Sequence, residues 1–343
     1  IEVLQKKRID KHHHENVIKT GKEFYFGTGL AELQVQLLRI LETDNRLQFE
    51  LPPVLIHGET GTGKSSIARL IHHQGPLSQA PIIEINCSTL SENLAESELF
   101  GYERGAFTDA KQSRIGLFEA ARGGTLFLDE VSSLSLGVQS KLLTAIEDRQ
   151  IRRVGGVKTI RTDIRLIAAS IRNLEDLVQE GRFRQDLFHR LDLLRLTISP
   201  LRERSQDLTD LALNLLLPLE KRYGKQNTVF SALGMKRLKD YHWPGNVREL
   251  IHELERALIM EADGPLNFDS LAKYDFSPAT RSTASINWLD PSGKIPESGI
   301  HLDDIINHLV FTALEQTSQN VSAAARLLNV KRDYIRYRMK EKM

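Results

Sequence analysis

Gly58-Glu59-Thr60-Gly61-Thr62-Gly63-Lys64-Ser65 fits the pattern G-x-x-x-x-G-K-[ST], and the residues on either side give it the setting its physics needs. Before it, Pro53-Val54-Leu55-Ile56-His57 is a short apolar run bounded by proline and glycine, which reads as a buried strand. After it, Ile67, Ala68, Leu70 and Ile71 recur at helical spacing. A strand, a glycine turn and a helix start in that order aim backbone N–H groups at a polyphosphate, at the positive end of the helix. Gly58, Glu59, Thr60, Gly61, Thr62, Gly63 and Ser66 would line the nucleotide. Lys64 would reach its β- and γ-phosphates, and the Ser65 hydroxyl would ligate Mg²⁺.

Outward from the loop, three more apolar runs read as strands: Pro81 to Asn86, Ile164 to Ser170 and Leu193 to Ile198. Gly124-Thr125-Leu126-Phe127-Leu128-Asp129-Glu130 is a further one that ends in two carboxylates. Acids at the carboxyl end of a central parallel strand stand where open α/β sheets bind ligands. Asp129 would hold Mg²⁺ through water and Glu130 would polarise the attacking water. Helical patterns at Gly29 to Glu42 (Leu30, Leu33, Leu37, Leu38, Leu41), Gly137 to Asp148 and Leu174 to Glu180 alternate with the strands, so the fold class is α/β with a parallel sheet flanked by helices. Residues 207 to 262 carry only helical patterns, Leu208 to Tyr223, Ser231 to Tyr241 and Asn246 to Met260, which make a small helical subdomain.

Composition bounds the function without naming it. A chain of 343 residues, 41% hydrophobic and 27% charged, has room for two or three soluble domains. The net charge of +1 gives no global attraction to nucleic acid or membrane, so any basic surface is local. The single cysteine, Cys87, excludes an internal disulfide, and no apolar run reaches membrane-spanning length, so the chain reads as cytoplasmic with no membrane partner. His12-His13-His14 in the polar stretch 1–25 has no second ligand cluster and reads as part of an exposed arm. A chain beginning with isoleucine reads as a fragment or processed product, with control by a lost domain or a separate regulatory protein.

The most specific stretch is Glu98-Leu99-Phe100-Gly101-Tyr102-Glu103-Arg104-Gly105-Ala106-Phe107-Thr108-Asp109-Ala110, a helix interrupted by a glycine-bounded loop whose tip exposes an aromatic and a hydroxyl. With the phosphate loop and Trp243-Pro244-Gly245-Asn246-Val247-Arg248-Glu249-Leu250, it resembles the sigma-54-dependent transcription activators, whose central domain is an AAA+ ATPase. The family loop reads Gly-Ala-Phe-Thr-Gly-Ala; Gly105, Ala106, Phe107, Thr108 and Ala110 match it and Asp109 replaces a glycine. The resemblance covers about residues 25 to 265 and implies further roles. Asn86 resembles the asparagine that holds the catalytic glutamate, Arg184 and Arg190 the arginine fingers offered to a neighbouring subunit, and Arg248 the lid arginine that reports nucleotide. Where the family has Ala-Thr-Asn, this chain has Ala169-Ser170-Ile171, which points to slower or differently sensed hydrolysis.

Residues 275 to 300 collect Ser, Thr, Pro and Gly as a linker does. Beyond it, Leu302 to Thr317 reads as a helix, and Asn320 to Val330 as a short helix and tight turn before a helix from Lys331 to Lys342, a helix-turn-helix able to enter the major groove. Ile335 and Met339 share its core face; Lys331, Arg332, Asp333, Arg336 and Lys340 are its candidates for double-stranded DNA, and the segment resembles the Fis-type DNA-binding domain. The expected division is an arm at 1–25, the α/β ATPase at 26–200, a helical lid at 201–265, a linker at 266–300 and the DNA-binding domain at 301–343. The expected function is an ATP-hydrolysing ring, a hexamer, that binds upstream DNA and remodels RNA polymerase holding sigma-54, with ATP and Mg²⁺ as cofactors. The alternative is a nucleotide-switched DNA-binding regulator with little hydrolysis.

Overall fold

The computed structural model describes residues 24–47, 50–108, 110–261, 264–274, 306, 309–314, 317 and 320–341. The chain divides into two compact units, residues 1–276 and 277–343. The arm through residue 23 with its three histidines, Asp109 and the linker at 275–300 lie outside the described residues.

In the first unit, five strands form one parallel sheet: β1 (Val54–Gly58), β2 (Ile82–Asn86), β5 (Thr125–Asp129), β8 (Arg165–Ser170) and β9 (Leu194–Ile198), in the order β2-β5-β8-β1-β9. All six residues of β8 are buried, as a central strand covered on both faces requires. Successive side chains point to opposite faces. Leu55, Leu126, Leu128, Leu166 and Ala168 therefore join one core, with Val138 and Leu142 of α5 (Leu136–Glu147), Leu174 and Leu177 of α6 (Leu174–Gln179), and Leu187 and Leu191 of α7 (Gln185–Leu191). Val54, Ile56, Phe127, Ile167 and Ala169 join the other, with Leu33 and Leu37 of α1 (Ala31–Leu47) and Ile67 and Ile71 of α2 (Lys64–Gln74). Each wholly buried Leu or Ile in these layers is worth about 1.5–3 kcal/mol of burial. Leu38 departs from the expected apolar set: it is 41% exposed, whereas Ile40 and Asp44 face inward. Asp44 is fully buried because Arg165 of β8 donates to it at 2.7 Å, and that ion pair pins α1 to the base of the sheet.

Two insertions interrupt the alternation. Between β2 and β5 come α3 (Glu92–Phe100) and a two-stranded ribbon, β3 (Gly101–Tyr102) with β4 (Arg114–Ile115), followed by α4 (Leu117–Ala120). After α5 comes a hairpin, β6 (Gln150–Arg152) with β7 (Thr159–Arg161). These strands have only two or three residues each, too short for an alternating pattern to show in sequence.

The helical subdomain consists of α8 (Leu208–Tyr223), α9 (Ala232–Asp240) and α10 (Asn246–Met260) around a separate core that includes Trp243, Leu250 and Leu254. That core takes in Leu266, Phe268 and Leu271, each at most 3% exposed. The packed lid thus runs past the expected end at 265. Tyr25, placed in the arm by composition, also packs against it.

In the second unit, residues 309–314 are helical, α11 (Val321–Leu327) is capped by Asn320, and α12 (Arg332–Glu341) follows a tight turn in which Asn329 takes a φ of 54°. Ile335 is fully buried in a core with Val310, Leu314 and Ala324.

Candidate nucleotide site

The phosphate loop lies at the carboxyl end of β1 and opens directly into α2, so the first N–H groups of that helix have no partners within it. Gly63 holds a φ of 108°, a left-handed value that glycine adopts without strain, and leaves room for the ring of Phe24, which a Cβ at 63 would meet at 2.9 Å. Lys64 is 7% exposed, and its Nζ donates to the carbonyls of Gly58 at 2.8 Å and Glu59 at 3.1 Å. Burial lowers its pKa, opposed by the charges of Asp129 and Glu130. Thr62 stiffens the loop by donating to the Glu59 carbonyl at 2.8 Å; Ser65 is half-buried, while Thr60 and Ser66 are exposed.

One strand, β8, separates β1 from β5, so the acids stand two strand spacings from the phosphate loop, about 10 Å. Asp129 ends β5. Glu130 lies just outside the strand, contrary to its expected place at the strand end, with a φ of 56°. Such a backbone costs about 1–3 kcal/mol for a residue with a side chain and clusters at functional positions. The Asp129 carboxylate accepts from the Glu130 N–H at 3.1 Å, and burial, against the attraction of Lys64, raises the Glu130 pKa. The charges of both acids oppose the fall in the Lys64 pKa, and that of Lys64 opposes the rise at Glu130.

Asn86 sits beside Asp129 in the β2–β5 register, but its amide oxygen accepts from the Ser88 N–H at 2.9 Å and hydroxyl at 2.7 Å. Among the described residues it makes no hydrogen bond to Glu130. Ser170 ends β8 between the two functional strands, and its hydroxyl donates to the Arg172 carbonyl at 2.7 Å.

Arg190 is not near the phosphate loop in its own chain, and Arg184 makes its contacts elsewhere. Arg184 precedes α7 and pairs with Asp186 through two contacts of 3.0 and 2.7 Å, while its backbone N–H donates to Gln139. Arg190 is exposed and lines a recess with Pro52, Ile164 and Leu193, residues that precede β1, β8 and β9. It therefore stands at the amino end of the sheet, the length of a strand, about 16 Å, from the loop. Among the described residues Arg190 has no ion-pair partner.

The lid approaches the loop closely. A Cβ on Gly61 would lie 2.2 Å from the Gly245 carbonyl oxygen, so only glycine fits there, and the Arg248 N–H donates to the Gly61 carbonyl at 3.3 Å. Arg248 is exposed, and its charge helps to lower the Lys64 pKa. The local pattern did not single out Arg202 or Asp207. Arg202 grips Glu59 with two hydrogen bonds of 2.8 and 2.6 Å, and Asp207 accepts from Thr28 and Gly29 at the start of α1. Their partners lie 143 and about 180 residues away, which leaves no short-range signal.

The two insertions fasten to each other. Tyr102 bridges Val154, Glu103 donates from its N–H to the Val154 carbonyl at 3.0 Å, and Arg153 joins Glu119 at 2.7 Å and Glu103 at 3.2 Å. Ala106 rests on Gly155, where a Cβ would come within 2.8 Å of it. The Gly105 N–H donates to the Ala110 carbonyl at 2.8 Å and closes the loop's neck. At the tip Phe107 is 43% exposed, propped on the Tyr102 ring at 4.9 Å, and Thr108 is exposed.

A family model described as the sigma-54 interaction domain matches residues 30–197, and one described as the AAA+ ATPase lid domain matches residues 202–286. The chain belongs to the sigma-54 interaction domain family. Its fold is that of an AAA+ ATPase with a helical lid. Among relatives of this family, the nitrogen fixation protein AnfA of Azotobacter vinelandii is 40% identical over 99% of this chain and 62% of its own length. The transcriptional regulatory protein XylR of Pseudomonas putida is 39% identical over 95% of this chain and 58% of its own. The chain thus spans about three fifths of these relatives. Among solved structures, NtrX from Brucella abortus in complex with ADP superposes with a TM-score of 0.66 at 25% identity, over 99% of this chain and 73% of that one. Among the described residues no helix is long and apolar enough to cross a membrane.

Proposed function

We propose that this chain is the ATP-hydrolysing engine of a sigma-54-dependent transcription activator, which assembles into a ring, binds upstream DNA and remodels the sigma-54 RNA polymerase holoenzyme to open a promoter. The observation that carries the reading is the exposed tip of Phe107 and Thr108, held out from a rigid base that the phosphate chemistry does not need. A large aromatic kept in solvent on a fastened loop is a contact surface for a partner.

The site suits Mg-ATP. Its donors for a metal are hard oxygens, the Asp129 carboxylate and the Ser65 hydroxyl, and Mg²⁺ binds through one or two such groups with water and phosphate oxygens. No cluster of three or more His, Cys, Asp and Glu side chains among the described residues suggests a different ion. Asp129 and Ser65 would hold the metal, which would supply neutralisation of charge on the transferring phosphoryl group. Lys64 binds the terminal phosphates and Glu130 accepts a proton from the attacking water. Asn86, exposed beside Asp129, can turn from Ser88 to hold Glu130. Arg190, unpaired and far from its own loop, completes the site of a neighbouring copy, which makes a closed ring the natural assembly. In the second unit, Lys331, Arg332 and Asp333 are exposed at the start of α12, and Arg336 and Lys340 lie further along it. This helix is the one offered to the major groove.

Phe107→Ala or Thr108→Ala is expected to leave ATP turnover within about twofold, since the loop lies outside the site, and to lower open-complex formation by about 10²-fold or more, a loss of roughly 3 kcal/mol of partner contact. Turnover and promoter opening measured on the same preparation check this. Full promoter opening by both variants would remove the loop from the coupling.

The pH dependence follows from the directions of two shifts. Glu130 must be ionised to accept a proton and its pKa is raised, so the rise of kcat/KM with pH lies above 4.5, the ordinary glutamate value. Lys64 must be charged and its pKa is lowered, so the fall at high pH comes below 10.5. The profile is therefore narrower than two exposed groups would give. A rising limb at or below the ordinary value would exclude Glu130 as the proton acceptor.

A further inference from the structure

Asn246 is wholly buried and begins α10, the lid helix that carries Arg248 two residues on. Its side chain makes three hydrogen bonds. Its Oδ1 accepts from the Leu201 N–H at 2.7 Å, and its Nδ2 donates to the Thr60 carbonyl at 3.0 Å and to Glu59 Oε2 at 3.1 Å. Arg202 grips both oxygens of the same carboxylate and shares Oε2 with Asn246. A side chain inside the phosphate loop is thus gripped at once by the segment entering the lid and by the first residue of the lid's last helix. Asn246 adopts a φ of 51°, which Asn and Asp tolerate and most other residues do not. Position 246 thus favours a short polar side chain on backbone grounds as well as for its hydrogen bonds.

We propose that Glu59, Asn246 and Arg202 form a latch that ties the lid to the phosphate loop, with Asn246 as a positioning residue that sets where Arg248 stands and carries nucleotide occupancy into the lid. This rests on the nucleotide site proposed above. The physical argument is one of stiffness. The loop's backbone is what a polyphosphate orders, and Glu59 and Thr60 belong to that backbone. A displacement of the Thr60 carbonyl pulls on the short Asn246 side chain directly, and a displacement of Glu59 is passed to Asn246 and Arg202 through the carboxylate that both hold. Arg202 and Asn246 hold the Glu59 pKa down to about 2, so the latch keeps its charge throughout the range in which the protein works.

Asn246→Asp keeps the size, the backbone preference and the acceptor for Leu201, and sets a carboxylate against Glu59 and the Thr60 carbonyl. Mg-ATP affinity, from a fluorescent ATP analogue, is expected to change by no more than about fivefold, while turnover falls about tenfold or more, a loss of one good positioning contact. Hydrogen exchange at the first turn of α10 is expected to slow on adding Mg-ATP in the unsubstituted chain and to show no nucleotide response in the variant. Glu59→Gln combined with Asn246→Asp restores a donor facing an acceptor with the roles reversed, and is expected to recover at least a third of the turnover and the exchange response. Wild-type turnover and exchange in Asn246→Asp would overturn the latch. So would equal losses in the single and double variants with affinity and exchange falling together, which is what a merely structural role predicts. Failure of the unsubstituted chain to bind the analogue would instead overturn the nucleotide site itself.

Discussion

Glu130→Gln is expected to lower ATP turnover about 10³-fold while leaving Mg-ATP affinity within about threefold. Glutamine has the size of glutamate and can keep the left-handed backbone at 130, so the cradle of Lys64, Ser65 and Asp129 stays in place. What disappears is the carboxylate that accepts a proton from the attacking water, a contribution of about 10²–10⁴-fold, or roughly 4 kcal/mol of barrier at the middle of that range. The substitution also removes a charge that burial disfavours, so no loss of stability should confuse the result. Steady-state turnover and equilibrium binding on one preparation decide it. Wild-type turnover would take Glu130 out of the chemistry and leave Asp129 as its nearest replacement.

Arg190→Ala is expected to lower turnover by at least about 10³-fold, the range found for an arginine that stabilises charge on a transferring phosphoryl group. The loss should be partly repaired by mixing with a Lys64→Ala chain that is itself inactive. The reason is geometric. Arg190 stands at the amino end of the sheet and cannot reach the loop at the carboxyl end of its own β1. In a random equal mixture, an intact loop meets an intact arginine at about one interface in four, so recovery toward a quarter of wild-type turnover is expected. Arg184 should behave differently, since its guanidinium is already engaged by Asp186 and its N–H by Gln139. No recovery in mixtures whose subunits have demonstrably exchanged would place the action of Arg190 within its own chain.

These two residues mark the reach of the sequence. The phosphate loop is legible because strand, turn and helix are contiguous, and the three inner strands because they are almost wholly apolar; the edge strands β2 and β9 are legible from Ile and Leu around Glu84, Arg195 and Thr197. Glu130 was legible as an acid but not as a left-handed residue outside its strand, since nothing in a run of apolar residues marks its last hydrogen bond. The ribbon and the hairpin leave no mark in the sequence because two or three residues carry no periodicity. The packed lid beyond 265 carries the polar composition of a linker, while Leu266, Phe268 and Leu271, which hold it, are too sparse to form a pattern. Arg202 joins Glu59 across 143 residues, and only folding brings the two together.

The joint between lid and α/β unit is made mostly of polar groups. Asp207 holds Thr28 and Gly29, Asn246 and Arg202 hold Glu59, and the lid and the α/β unit pack around separate apolar cores, with Tyr25 the residue preceding α1 that packs into the lid's. Parting such a seam exposes carboxylate, amide and guanidinium to water and little hydrocarbon. Heat-capacity changes come chiefly from hydrocarbon, so opening and closing would carry only a small one. The enthalpy and entropy of parting the seam then stay nearly constant with temperature, so the logarithm of the lid's opening equilibrium follows a straight line against 1/T, without the curvature that an apolar seam would give.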